Sequence, residues 1–366
     1  MHMDKTVLIS AGGTGGHMSP ASALATELKK RGIHVELATD IRGTRYEKMF
    51  PGIKTHVLKS GTAGAGLSGK IKGALGLAQG ILLQGLPLIG KVNPDFVIGF
   101  GGYPSVPAVL AAQLRGVPTG LHEQNAILGK ANKFLAPKAR FIALSLRPTE
   151  EETGALSRKM VVTGNPVRPE IITLKDAAYP DLNEGGVLDI LVMGGSLGAT
   201  VFSKVVPEAI AMLPKEYKNR ISVTQQCREA DIEEAQEVYE KAIVEAELAP
   251  FFHDVAGLLS KSHLFIGRSG ASTVAEISIA GRPAIYVPYP HHKDQQQKKN
   301  AMTVADRGGA WIVTEDQFTP EAVKERITMI FENPDTLSRA AARAKDCGLP
   351  DAAERLADQV IKQIQE

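Results

Sequence analysis

Short runs of apolar and β-branched residues recur along the chain, and the stretches between them carry helical spacing or clusters of turn residues. That alternation predicts parallel βα units rather than a meander or a bundle. Strand-like runs fall at residues 6–9, 35–38, 56–58, 96–99, 120–122, 141–144 and 160–163. The pattern restarts at 190–193, 221–224, 251–252, 264–266, 284–287 and 311–313, beyond a polar linker at 176–186 (DAAYPDLNEGG). The fold class is therefore α/β: two doubly wound, Rossmann-like domains facing a cleft, with ligands expected beyond the carboxyl ends of the strands. Near the end, Ala352, Leu356, Val360 and Ile364 recur every fourth residue, the apolar stripe of a helix that packs on a domain.

Residues 73–90 break the rhythm: 18 uncharged positions, enough in length for a membrane span. The run contains five glycines and Pro87, sits between two strand-like segments, and has Lys70, Lys72 and Lys91 just outside it. A crossover helix with an unusually apolar face fits better than a spanning one, and such a helix can also lie on a membrane surface.

At 366 residues, the chain is long enough for about two domains. Its 43% apolar and 22% charged content excludes disorder as the main state. Two cysteines in unrelated contexts, Cys227 and Cys347, exclude a disulfide framework and a CxxC site, and fit a reducing cytosol. The first ten residues lack the three regions of a secretory signal. Net charge is +2, but residues 1–165 hold 20 Lys and Arg against 10 Asp and Glu, whereas the remainder holds 22 against 30. A front half at +10 points to an anionic partner: phosphate, lipid or nucleic acid. With 5% aromatics and no stacking motif, nucleic acid is the weakest of these.

The glycines cluster after the apolar runs. GGTGGH (12–17) follows the first, and Pro20 then opens a helix. Such turns bring backbone N–H groups and a helix N-terminus to an anion. The dinucleotide fingerprint fails because Met18 stands at its third glycine, although Asp40 ends the second strand where a ribose carboxylate would be. GAGLSGKI (64–71) misses a Walker A loop by Ile71 in place of the hydroxyl residue. Further polar turns are GGYPS (101–105), HEQN (122–125), GGSLGA (194–199) and RSGAST (268–273). Thr273 and Glu276 have capping-box spacing, and the rival reading of Glu276 is a carboxylate on ribose hydroxyls. The loop 288–297 (PYPHHKDQQQ), with Asn300 beyond, offers many amides suited to sugar hydroxyls; adjacent His291 and His292 lack metal-ligand spacing and no DxD occurs.

GGTGGH, GGYPS, HEQN, GNPVR, GGSLGA, RSGASTVAE and DQQQKKNA, in that order, resemble the MurG family of bacterial N-acetylglucosaminyltransferases from about residue 5 to residue 350. The resemblance implies the GT-B fold, with residues 1–166 as the acceptor-binding, membrane-associated domain and 167–345 as the UDP-GlcNAc domain. Residues 346–366 would return as a helix to the first. It implies inverting, metal-independent transfer of GlcNAc from UDP-GlcNAc to the muramoyl C4 hydroxyl of the undecaprenyl-diphosphate-linked acceptor, lipid I, giving lipid II. No cofactor, metal or nucleic acid is called for, and the setting would be peripheral, on an anionic cytoplasmic membrane face. A UDP-sugar enzyme with another acceptor, a UDP-GlcNAc epimerase and a catalytically silent sugar-nucleotide binder are the alternatives.

On the donor side the resemblance implies Thr14, Gly15, Gly16, Asn125, Arg168, Ser196, Phe252, Ala271, Ser272, Thr273, Val274, Ala275, Glu276, Gln296 and Gln297. Arg268 would begin the segment that wraps the nucleotide. Phe252 stands where the family commonly has a smaller aliphatic residue whose backbone reads the uracil edge. Gly101, Gly102, Tyr103, Ser105, His122 and Glu123 would face the acceptor diphosphate. His17 is the candidate general base, since an imidazole suits proton abstraction near neutrality; binding the acceptor diphosphate or orienting the donor are its rival roles.

Overall fold

The structure is a computed structural model, described here for residues 5–60, 76–146, 154–180, 182, 185–195, 198–291 and 294–366. The chain divides into two compact units, Met1–Arg168 with Leu349–Glu366, and Pro169–Gly348.

The first unit is built on a parallel sheet of β1 (Thr6–Ser10), β2 (His34–Thr39), β3 (Lys54–Val57), β4 (Phe96–Gly99), β5 (Thr119–Glu123), β6 (Phe141–Leu144) and β7 (Met160–Val162), in the order β3-β2-β1-β4-β5-β6-β7. Alternate residues of β1 feed opposite faces: Val7 and Ile9 pack on one side, Leu8 on the other. The Val7 face is covered by α1 (Gly15–Lys30) and by the C-terminal helix Ala352–Gln365. Leu356 and Val360 of that helix are fully buried, and each contributes ~1.5–3 kcal/mol. The half-exposed Arg31–Asp358 ion pair beside them is worth at most about 1 kcal/mol, so apolar burial docks the helix.

The other face carries the segment 76–92, helical throughout, with a π-helical turn at Gly80–Gly85 that leads into α2 (Leu86–Val92). The crossover-helix reading of the apolar run holds for these residues; 61–75, including Lys70, Lys72 and the Walker-like stretch, lie outside the described part. A Cβ on Gly80 would sit 2.1 Å from the Lys59 carbonyl oxygen, and one on Gly85 2.8 Å from that of Pro107, so glycine lets the turn press against α3 (Gly102–Leu114). Beside α3 also lies α4 (Lys130–Leu135).

The second unit repeats the plan with β8 (Leu188–Met193), β9 (Ile221–Gln226), β10 (Glu245–Ala249), β11 (Leu264–Gly267), β12 (Ala284–Tyr286) and β13 (Ala310–Ile312), all parallel, in the order β10-β9-β8-β11-β12-β13. Its core joins Ile190, Val192, Ile266 and Ile285 to Phe202, Val206 and Ile210 of α5 (Thr200–Ala211). Helices α6 (Glu229–Ala242), α7 (Val255–Lys261), α8 (Ala271–Ala280), α9 (Gln296–Ala305), α10 (Pro320–Glu332) and α11 (Asp335–Lys345) complete it, and the terminal helix is α12 (Ala352–Gln365).

Two local readings need correction. Residues 251–252 form no strand; β10 is the acidic Glu245–Ala249, an edge strand whose solvent side needs no apolar residues. Helix α1 starts at Gly15, so Pro20 lies inside it rather than at its opening.

Candidate functional site

Both sheets reverse direction once. The chain leaves β1 toward β2 and β4 toward β5, so the first unit's switch point lies between β1 and β4; the second unit's lies between β8 and β11. At such points the two outgoing loops part and leave a crevice at the strands' carboxyl ends. The four loops there are GGTGGH, GGYPS, GGSLGA and RSGAST.

In the first unit, Gly101 and Gly102 carry φ of +78° and +70°, left-handed values that glycine accepts without strain. They open α3 beside the β1 turn: a Cβ on Gly102 would lie 3.3 Å from His17 Cε1, and one on Gly12 2.7 Å from Pro104 Cβ. Thr14 caps α1 from an extended backbone, and its Oγ1 stands 3.2 Å from His17 Nδ1. Burial lowers the His17 pKa from its usual 6.5 and a hydrogen bond to the Gly12 backbone opposes that, leaving a neutral imidazole at pH 7. Thr14 and Gly16 are exposed, Gly15 and His17 half-buried, and Tyr103 is exposed.

The HEQN turn is an internal brace. His122 and Glu123 are buried, at 0% and 3% exposure, and their side chains are engaged within the protein. Gln124 Nε2 donates to His122 Nδ1 at 3.0 Å, which leaves Nε2–H to donate to the Gly164 carbonyl at 3.2 Å. Burial pushes the His122 pKa down to about 4, against the Gly164 bond and with the help of His17. Glu123 accepts from the Asn125 and Gly129 amides at 3.1 and 2.8 Å and from Asn132 Nδ2 at 2.8 Å. Its pKa is raised by burial, with those donors pulling the other way. Asn125, the donor-side candidate, is thus held by Glu123 through both N and Nδ2. Ser105 is likewise internal, its hydroxyl donating to the Gly102 carbonyl at 2.9 Å. Arg168 is half-buried and closes the GNPVR segment.

In the second unit, the β8 turn curls so tightly that a Cβ on Gly194 would lie 2.4 Å from the Ala199 nitrogen, and α5 starts at Thr200. Ser196 lies outside the described residues. Helix α8 opens at Ala271 with Gly270 as N-cap, so Thr273 is already inside its first turn and the capping-box reading of Glu276 fails. Ser272, Thr273, Ala275 and Glu276 are half-buried, and Ala271 and Val274 buried. The first amides of α8 lack intrahelical partners and present partial positive charge.

Helix α9 is latched to this turn. Ser269 Oγ donates to the Gln297 carbonyl at 2.8 Å, Asn300 Nδ2 to the Ser269 carbonyl at 3.2 Å, and the Tyr289 amide to Gln297 Oε1 at 2.9 Å. Gln296 binds Asp294 at 2.9 Å. The backbone of Gln297 is thus tied to the turn that precedes α8, and its side-chain oxygen to Tyr289. Phe252 is 9% exposed and follows β10, in the loop that Gln226 Nε2 fixes through the Pro250 carbonyl at 3.1 Å. The Arg268 guanidinium binds the Val287 and Pro288 carbonyls and Glu315, between the rings of Phe202 and Tyr289.

Asp40, the near-miss ribose carboxylate, is buried and taken by Arg42, Gly43 and Ser60. Arg42 and Tyr46 lie against the GGTGGH turn, Tyr46 Cε1 being 3.6 Å from where a Gly15 Cβ would be. Phe134 on α4 is 62% exposed, like Leu82 at 58% and Leu83 at 71%, and the helices of all three pack on α3; Leu86 instead packs into the core. Among the described residues no helix is long and apolar enough to cross a membrane, and no three His, Cys, Asp or Glu side chains form a metal-ligand set.

Residues 7–144 match the Glycosyltransferase family 28 N-terminal domain and residues 189–356 the Glycosyltransferase family 28 C-terminal domain. The chain is 48% identical over 355 residues to the UDP-N-acetylglucosamine–N-acetylmuramyl-(pentapeptide) pyrophosphoryl-undecaprenol N-acetylglucosamine transferase of Rhodospirillum centenum, covering 97% of this chain and 93% of that protein. The crystal structure of Acinetobacter baumannii MurG superposes with a TM-score of 0.80 at 29% identity, over 98% of this chain and 99% of that one. The UDP-GlcNAc 2-epimerase of Neisseria meningitidis shares the fold at 16% identity, with a TM-score of 0.68, over 98% of this chain and 100% of that one.

Proposed function

Since the chain belongs to glycosyltransferase family 28, and within it to the MurG family of N-acetylglucosaminyltransferases, we propose that it moves GlcNAc from UDP-GlcNAc to the C4 hydroxyl of the MurNAc-pentapeptide on undecaprenyl diphosphate. The product is the lipid-linked disaccharide used to build peptidoglycan. The observation that carries the reading is the pair of glycine-lined switch points, one in each unit, each with helix N-termini suited to a phosphate-bearing substrate.

The donor belongs to the second unit. The Ala271–Thr273 amides hold the UDP diphosphate, Glu276 accepts from the ribose hydroxyls, the backbone at Phe252 reads the uracil edge, and Gln297 with Gln296 donates to the sugar hydroxyls. Ser196, Val274, Ala275 and Arg168 complete the nucleotide contacts, and Thr14, Gly15, Gly16 and Asn125 those to the donor sugar. The acceptor diphosphate belongs to the first unit, at the Gly101, Gly102 and Tyr103 turn. The acceptor oxygen forms its bond to the anomeric carbon as the bond to UDP breaks, inverting that centre; His17 takes the hydroxyl proton on its neutral ring. The developing charge on UDP is met by the fixed dipoles of α8 and by Arg168 rather than by a metal ion. Attachment is peripheral, on the cytoplasmic membrane face, through Leu82, Leu83 and nearby lysines.

UDP release from UDP-GlcNAc is the test, measured with and without the lipid-linked acceptor and in excess EDTA. Release that needs the acceptor and persists in EDTA is expected. Epimerisation without acceptor overturns the transfer reading, and loss in EDTA restored by magnesium or manganese overturns the metal-free one.

A further inference from the structure

We propose that Arg42 is an acceptor-binding residue, a guanidinium pre-set beside the GGTGGH turn to grip the diphosphate of the lipid-linked substrate; the assignment rests on the transfer reaction proposed above.

Strand β2 runs parallel to β1 with Ala38 opposite Ser10, which carries residues 40–43 to the same sheet edge as the glycine turn. The two turns then meet at the backbone. A Cβ on Gly43 would lie 3.4 Å from Gly12 Cα and only 1.8 Å from Thr39 Oγ1, and one on Gly12 3.0 Å from Asp40 Oδ1. Asp40 is anchored from three sides: Gly43 N at 3.0 Å, Ser60 Oγ at 3.1 Å and Arg42 Nε at 2.8 Å. Burial alone would raise its pKa, but these donors, Arg42 foremost, bring it below the ordinary carboxylate value, so Arg42 faces a permanent anion.

The contact uses only Nε. Both terminal nitrogens have no partner among the described residues, Nη2 lies 3.8 Å from where a Gly13 Cβ would be, and the side chain is 46% exposed. A guanidinium fixed by its inner nitrogen and open at its outer two presents the two-pronged edge that pairs with phosphate oxygens. A bare counter-ion for Asp40 needs only one cationic donor. The remaining prongs, over a turn that also starts α1 and abuts the α3 opening, have an anion's work to do.

Arg42→Lys keeps a cation for Asp40 but cannot reach both partners, and Arg42→Gln removes the charge. Kinetics with UDP-GlcNAc and a short-chain, water-soluble analogue of the lipid-linked acceptor should show the acceptor KM raised roughly ten- to hundredfold in both, the range of a lost charge-assisted hydrogen bond. The KM for UDP-GlcNAc and the melting temperature of Arg42→Lys should stay near the parent's. Inorganic pyrophosphate, competing with the acceptor in the parent, should lose potency by a similar factor. An unchanged acceptor KM with a lowered melting temperature makes Arg42 the counter-ion of Asp40 alone and overturns the proposal. A parent that transfers no sugar to the acceptor overturns the transfer reading, and this assignment with it.

Discussion

His122 reaches the carbonyl oxygen of Gly164 across 3.2 Å and so ties the end of β5 to the segment that runs on to Arg168. Ser145 extends the tie, its Oγ donating to Asn165 Oδ1 at 3.2 Å and lying 3.3 Å from His122 Nε2. The loop bearing Asn125 and the segment bearing Arg168 are therefore one hydrogen-bonded block, and its buried imidazole sets an acid limit.

The pKa of His122 falls from 6.5 to about 4, so the unfolded chain binds its proton first as the pH drops. The stability this group contributes is intact above pH 6.5 and is lost progressively toward pH 4, by about 3 kcal/mol. Glu123, with its raised pKa, acts in the opposite sense, so the comparison must be with a variant. Urea unfolding from pH 7 to pH 4 should show a shallower loss in His122→Gln than in the parent. Parallel curves would mean that the folded protein protonates His122 freely.

Glu276 sits in the second turn of α8 rather than at its N-cap, and Glu276→Ala tests the ribose role. UDP affinity by calorimetry should fall by about 1–3 kcal/mol, the cost of removing a charged acceptor from two hydroxyls. Unchanged affinity sinks the ribose role.

For His17, the expectation is a drop in kcat of roughly a hundred- to ten-thousandfold in His17→Ala, with UDP affinity retained. A base must be unprotonated to act, and burial lowers this one's pKa from the usual 6.5, so the acid limb of kcat/KM should have its midpoint below pH 6.5. An acid limb with its midpoint above pH 6.5 belongs to another group.

Leu82 and Leu83 project from the helix between β3 and β4, whereas Leu86 serves the core, so the membrane test needs only the first two. Leu82→Ser with Leu83→Ser should cut co-sedimentation with anionic vesicles at least tenfold, since fully burying each leucine is worth ~1.5–3 kcal/mol. High salt should weaken the parent's binding, each nearby lysine adding up to about 1 kcal/mol. Binding that ignores both changes assigns the leucines no part in docking.

The central strands were legible because burial on both faces writes them as plain apolar runs, β4 and β6 to the residue. Glu245–Ala249 was not, since an edge strand keeps glutamates on its open side. The glycine turns announced the two switch points, but sequence could not separate a side chain at such a turn from one beneath it. His122 and Glu123 read like ligand contacts, and their burial and internal hydrogen bonds had no signal in the sequence. Arg42 could not be read at all, because its neighbour Gly13 lies 29 positions earlier and only the β1–β2 pairing brings them together.

The terminal helix sets an order of assembly. Leu356 and Val360 complete a core whose other walls are Leu24, Leu28 and Ile98, made hundreds of residues earlier, while the second unit is one uninterrupted stretch of chain. During synthesis the second unit can close as soon as it emerges, but the first must wait, part of one sheet face beside α1 uncovered, until Ala352–Gln365 has been made. Truncating the chain before Ala352 should therefore expose apolar surface in the half that was translated first.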